Sequence, residues 1–125
     1  MKSALIVDDD PMIHLLVSKM LEAKGFFVTG YKSCDEVRSS IDVITVSEFS
    51  VILLDMQIGN ETGDTVFDLI EKCISNLPPV VYMSSNSEVE AREMFELRAK
   101  NSLFMQKPFP AGDLYSTLKL LNIEI

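Results

Sequence analysis

The sequence predicts an α/β protein in which a five-stranded parallel sheet is covered by helices on both faces. Three observations carry this. Five short apolar runs, at residues 4–7, 26–31, 51–54, 80–83 and 103–106, are spread along the 125 residues. Segments with a helical period separate them, and the runs are continuously apolar, as strands buried on two sides must be. The length fits one domain, residues 1–125, with a single sizeable core and no second folding unit or output domain.

The first run ends abruptly at Asp8, Asp9 and Asp10. Asp10 can cap a helix and Pro11 suits its first position, and Ile13, Leu16, Val17, Met20 and Leu21 form an apolar stripe that ends near Gly25. After the second run, residues 35–44 read as a helix with an open boundary. Ile41, Val43, Ile44, Thr45 and Val46 are β-branched and suit extended backbone equally. A third helix over 63–75 turns Val66, Phe67, Leu69, Ile70 and Ile74 towards the core before Pro78 and Pro79 stop it. The fourth starts at the capping box of Ser87 and Glu90. It carries Val89, Met94, Phe95 and Leu97, with ion pairs Glu88–Arg92 and Glu96–Lys100. The fifth, after Phe109, bears Leu114, Leu118 and Leu121.

Acidic residues outnumber basic ones 19 to 11, for a net charge of -8. This argues against nucleic acid or an anionic membrane as partner and favours a cation or a basic protein patch. Cys34 and Cys73 lie far apart without a CxxC motif, so two free thiols in a reducing cytoplasm are expected. Lys2 precedes too short an apolar run for a signal peptide, and no stretch nears the roughly 18 apolar residues of a membrane span. The expectation is a soluble, cytoplasmic protein, for which Met1 is a natural start. No GxGxxG follows a strand, so a dinucleotide role lacks support. His14 reads as a partly exposed helix residue, and Met12, Met20, Met83 and Met94 as core filling.

In open parallel sheets, ligands gather beyond the carboxyl ends of the strands. There the sequence sets Asp8, Asp9 and Asp10, then Asp55, then Ser84 and Ser85, then Lys107. Two carboxylates about 4 Å apart repel by roughly 4 kcal/mol at an effective dielectric near 20, so Asp8, Asp9 and Asp55 need a compensating cation. Hard oxygen ligands without His or Cys favour Mg²⁺, with Mn²⁺ or Ca²⁺ as substitutes, and Mg²⁺ keeps a position for a phosphoryl oxygen. Asp55 is the candidate nucleophile. Ser84 would donate a hydrogen bond to the transferring phosphoryl group and Lys107 would supply a point charge. An ionised aspartate attacks without a base.

In their order along the chain, Asp8 and Asp9, VILLDMQIGNETG around Asp55 with Gly63 closing the loop, YMSSN at Ser84 and FMQKPF at Lys107 and Pro108 resemble the receiver domain of two-component response regulators. The likeness runs the whole length. It implies a flavodoxin-like sheet of order 2-1-3-4-5 and an Asp55 that takes a phosphoryl group from a phosphohistidine of a sensor histidine kinase or histidine phosphotransfer protein. It implies that Asp9 is a direct Mg²⁺ ligand, that Asp8 acts largely through water, and that the Gln57 carbonyl is a further ligand. Ser84 becomes the switch hydroxyl and Phe104 the switch aromatic, which alter the surface of the fourth helix, fifth strand and fifth helix. The Lys107–Pro108 bond is implied to be cis. Slow autodephosphorylation, a phosphorylation-dependent dimer, and output through a downstream protein or an output domain in a longer chain also follow from the likeness.

Ser84 replaces the more frequent threonine, which keeps the hydroxyl but loosens its rotamer. Ile58 and Gly59 stand where Met-Pro is common, and Gln57 and Asn86 occupy the positions that tune acyl-phosphate lifetime. Two alternatives are weighed. A haloacid-dehalogenase-like phosphatase would use Asp8 and Asp10 as its D-x-D, but past Lys107 only Asp113 and Glu124 remain for its later acidic pair. A degenerate receiver that binds a partner without phosphorylation would have no evident need for Asp8, Asp9, Asp55, Ser84 and Lys107 together.

Overall fold

The computed structural model describes residues 2–125; Met1, the expected start, lies outside them. Five strands, β1 (Ser3–Val7), β2 (Phe27–Tyr31), β3 (Val51–Asp55), β6 (Val80–Ser84) and β7 (Ser102–Gln106), form one sheet of order β2-β1-β3-β6-β7, with every pairing parallel. Counted among these five alone, the order is the expected 2-1-3-4-5. Two further strands of two residues each, β4 (Gln57–Ile58) and β5 (Glu61–Thr62), make a small antiparallel hairpin beyond Asp55.

Alternation along the strands divides the core into two layers. Leu5, Val7, Ile52, Leu54, Val80 and Tyr82 point to one side, beneath α2 (Cys34–Ser39), α3 (Ile41–Val46) and α4 (Gly63–Cys73). Ala4, Ile6, Val51, Leu53, Val81 and Met83 point to the other, beneath α1 (Pro11–Glu22) and α6 (Ala111–Leu120). All five residues of β3 and of β6 are buried, which explains why their sequences show no polar alternation.

Asp10 caps α1 by accepting from the Met12 amide at 2.9 Å, with Pro11 in the first turn. The buried face of the helix is narrower than the expected stripe: Val17 and Leu21 are buried, whereas Leu16 is exposed. The segment expected as one helix over 35–44 is two helices, so the described residues form six, not five. The break falls at Ser40, which ends α2 at φ -112° and ψ 12°, and the β-branched run continues as helix in α3.

The fourth expected helix is cut short. The Ser87–Glu90 capping box starts α5 (Glu88–Met94) and Glu88 pairs with Arg92 at 2.8 Å, but Phe95 turns extended at φ -134° and ψ 155°. Long-range contacts override the local helical pattern. Arg98 pairs with Asp68 and Glu71 of α4 and stacks over Phe67, and the Ala99 amide donates to the Tyr82 hydroxyl at 2.9 Å. Phe95 and Leu97 pack on the core, and Glu96 faces Arg98 rather than Lys100. Met94 and Val89 are exposed, as is Met12 of α1, so Met12 and Met94 do not fill the core. Met83 does, and Met20 packs against it in part.

Loss of the α1 cap should be local. Asp10→Ala is expected to lower unfolding free energy by about 1 kcal/mol in a urea titration without a change in m-value.

Candidate functional site

At the carboxyl ends of β1, β3, β6 and β7 the structure gathers Asp8, Asp9, Asp55, Ser84 and Lys107 around one cleft of about 510 Å³. Asp8 is fully buried and Asp55 and Ser84 nearly so, while Asp9 stands exposed at the rim. One oxygen from each of Asp8, Asp9 and Asp55 lies within 4.8 Å of the others.

The neighbouring elements hold each acid in place. The Asp8 carboxylate accepts from the Asp10 amide at 2.9 Å and from Lys107 Nζ at 2.9 Å. Asp9 Oδ2 accepts from the Gly59 amide at 2.9 Å, a contact that depends on the turn of the β4–β5 hairpin, where Gly59 has φ +61°. Asp55 Oδ1 accepts from the Gln57 amide at 3.2 Å, and its other oxygen lies 3.3 Å from Lys107 Nζ. Gly63 has no room for a side chain: a Cβ there would lie 2.6 Å from the Asp55 carbonyl oxygen. The Asn86 amide donates to Ser84 Oγ at 3.0 Å. The Lys107–Pro108 bond is cis. Phe104, on β7, is half-buried against the α2–α4 side of the core.

Burial, reinforced by the charge of Asp8 and opposed by Lys107, raises the Asp55 carboxyl from 3.8 to about 7. For Lys107, burial acts to lower the ammonium, but the Asp8 hydrogen bond and the charge of Asp55 outweigh it and leave the group above its ordinary value. The site therefore holds more negative charge than one lysine offsets. Three clustered carboxylates, with Asp9 and Asp55 lining the open cleft and Asp8 buried beside them, are a donor set that fits a hard divalent cation such as Mg²⁺.

Asp8, Asp9, Asp55, Ser84 and Lys107 thus meet as the sequence predicts, and Gln57 lines the same cleft, whereas Phe104 lies apart from it. Ser85, set by the sequence at the same sheet edge, lines the cleft beside Ser84. One contributor was missed, the Gly59 amide, whose signal was the turn-forming Gly59-Asn60 pair.

The family model for the response regulator receiver domain matches residues 4–119, and the chain belongs to that family. It is a signalling phosphoacceptor domain, and the dehalogenase-like alternative is set aside. Over 112 residues the chain is 32% identical to protein PetR of Rhodobacter capsulatus, a match covering 88% of this chain and 44% of PetR. It is 25% identical over 129 residues to the heme response regulator HssR of Staphylococcus saprophyticus, covering 100% of this chain and 55% of HssR. The chain therefore spans about half the length of these curated relatives. The receiver domain of sensor histidine kinase PA1611 from Pseudomonas aeruginosa, solved with a magnesium ion coordinated in its active site cleft, superposes with a TM-score of 0.78 at 19% identity, covering 97% of this chain and 98% of that one. No helix among the described residues is long and apolar enough to cross a membrane.

The raised Asp55 carboxyl has a thermodynamic sign. A carboxyl whose folded value lies above its unfolded value favours folding while protonated and opposes it once ionised. Its cost is absent below about pH 4, grows between there and pH 7, and is complete above. Asp55→Asn is expected to raise apo-protein stability by on the order of 2 kcal/mol at pH 8, with the gain vanishing near pH 4, in thermal melts across that range.

Proposed function

We propose that Asp55 accepts a phosphoryl group from a phosphohistidine of a sensor histidine kinase or histidine phosphotransfer protein, with Mg²⁺ bound by Asp8, Asp9, Asp55 and the Gln57 carbonyl. The observation that carries this reading is the placement of Asp55, buried between the carboxylate of Asp8 and the ammonium of Lys107 at the floor of an open cleft. A carboxylate in such surroundings gains by delivering its charge to an arriving electrophile.

One Asp55 oxygen attacks phosphorus as the P–N bond of the donor breaks, and the imidazole leaves with the electron pair. Lys107 turns from Asp55 towards the new phosphoryl oxygens, and the Ser84 hydroxyl donates to another of them. When bound, Mg²⁺ supplies charge neutralisation and an open position for a phosphoryl oxygen. Asp8 holds Lys107 in reach throughout, and Gln57 and Asn86 flank the acyl phosphate, where they govern its slow autohydrolysis.

The output rests on Ser84 and Phe104. Movement of the Ser84 hydroxyl towards the phosphoryl group frees space into which Phe104 rotates, changing the surface built by α5, β7 and α6, the family's fourth helix, fifth strand and fifth helix. A downstream protein, an output domain in a longer chain or a second copy of the phosphorylated domain reads that surface. The site calls for a cytoplasmic setting, where histidine kinases present their phosphohistidine.

Acetyl phosphate with Mg²⁺ is expected to add one phosphoryl group to Asp55, detected by intact mass and by reductive mapping of the acyl phosphate. Asp55→Asn and Asp9→Ala should abolish labelling, whereas Asp10→Ala should leave it intact. Label on Asp8 would overturn the assignment of the nucleophile. A folded, Mg²⁺-binding protein that takes no label would instead be a degenerate receiver.

A further inference from the structure

The Asp8 carbonyl stands one residue past the end of β1, where the sheet ladder has stopped. Its hydrogen-bond partner among the described residues is the ring of His14, one turn into α1, with Nε2 2.5 Å away. A carbonyl oxygen only accepts, so Nε2 carries the proton and donates. The other side of the imidazole lies against β2. A Cβ built on Gly30 would sit 2.8 Å from His14 Nδ1 and 3.0 Å from Cε1, closer than side chains pack. The ring is thus held between a carbonyl at the site and a glycine on the edge strand.

That carbonyl belongs to the peptide unit joining Asp8 to Asp9, and the orientation of its plane sets the direction in which the Asp9 side chain leaves the backbone. Every other polar group of Asp8 is also engaged: its amide donates to the Tyr31 carbonyl at 3.1 Å, and its two carboxylate oxygens take Asp10 and Lys107. His14 completes the set. Without it, the peptide between the two acids would lose the bond that fixes its rotation.

We propose that His14 is a positioning residue for the cation site, and that Gly30 leaves the space its ring requires. This rests on the reading that Asp8 and Asp9 hold Mg²⁺. His14 touches neither cation nor phosphoryl group; it acts through the Asp8–Asp9 peptide. Groups that orient metal ligands typically change affinity by about tenfold or more when removed.

Isothermal titration calorimetry with Mg²⁺ tests this. His14→Phe, which keeps a ring but loses the donor, is expected to bind Mg²⁺ about tenfold more weakly than the wild type. His14→Gln, which returns an N–H at similar reach, should restore binding to within about threefold. Gly30→Ala pushes the ring off the carbonyl and should weaken binding in the same direction, although it lies on another strand. In metal-free protein the Asp9 amide NMR signal should move in His14→Phe and Gly30→Ala and return towards its original place in His14→Gln. A folded His14→Phe or Gly30→Ala protein with wild-type Mg²⁺ affinity would overturn the proposal, and so would loss of melting temperature alone. Failure of the wild type to bind Mg²⁺ would instead remove the cation reading itself.

Discussion

Lys107 is the constraint on which the rest of the site depends. Asp8 and Asp55 project from neighbouring strands into nearly dry surroundings, where two uncompensated carboxylates would repel by several kcal/mol. A single ammonium reaching across from β7 touches both, at 2.9 and 3.3 Å. Because Lys107 follows directly on the edge strand β7, this contact ties the end of β1, the first strand along the chain, to the end of the last. Local charge balance and the order of the strands are one requirement.

The balance is incomplete, and the excess is useful. Asp9 adds a third carboxylate at the rim, and its tether is a backbone amide of the β4–β5 hairpin instead of a cation. The hairpin can form against Asp55 because Gly63 brings its backbone to the Asp55 carbonyl without a side chain in between, and the Gly63 amide donates to the Met56 carbonyl at 2.8 Å. Glycines at 59 and 63 therefore do what no charged residue there could, letting backbone donors approach a crowded acidic corner. The result is a cleft with negative charge on its floor and rim and open space above it.

Much of this was legible because it is local or periodic. Apolar runs mark the strands, a residue following each run marks the sheet edge, and Asp10-Pro11 marks the start of α1. What escaped depends on partners distant in sequence. The end of α5 at Met94 is decided by Arg98 meeting Asp68 and Glu71, some thirty residues earlier, and by Tyr82 receiving the Ala99 amide. A pattern of capping box and i,i+4 charges carries no trace of those anchors. The two helices divided at Ser40 likewise reflect packing that propensity does not encode, since the β-branched run, which suits helix and extended backbone equally, forms α3. His14 is the partly exposed helix residue that the sequence suggests, but its hydrogen bond went unread for a simpler reason: its partner is a main-chain oxygen, and sequence does not say which way a carbonyl points.

The brevity of α5 changes how the domain distributes its cooperativity. Of its seven residues only Ala91 is buried, so the helix adds little to the core and is held chiefly by its capping box and by the anchored segment that follows. Such an element opens at a free energy well below that of the whole domain. The sheet can stay fully folded while α5 rearranges, so a small push at the site needs to work only against these roughly two loosely attached turns of helix, and not against the hydrophobic layers beneath them.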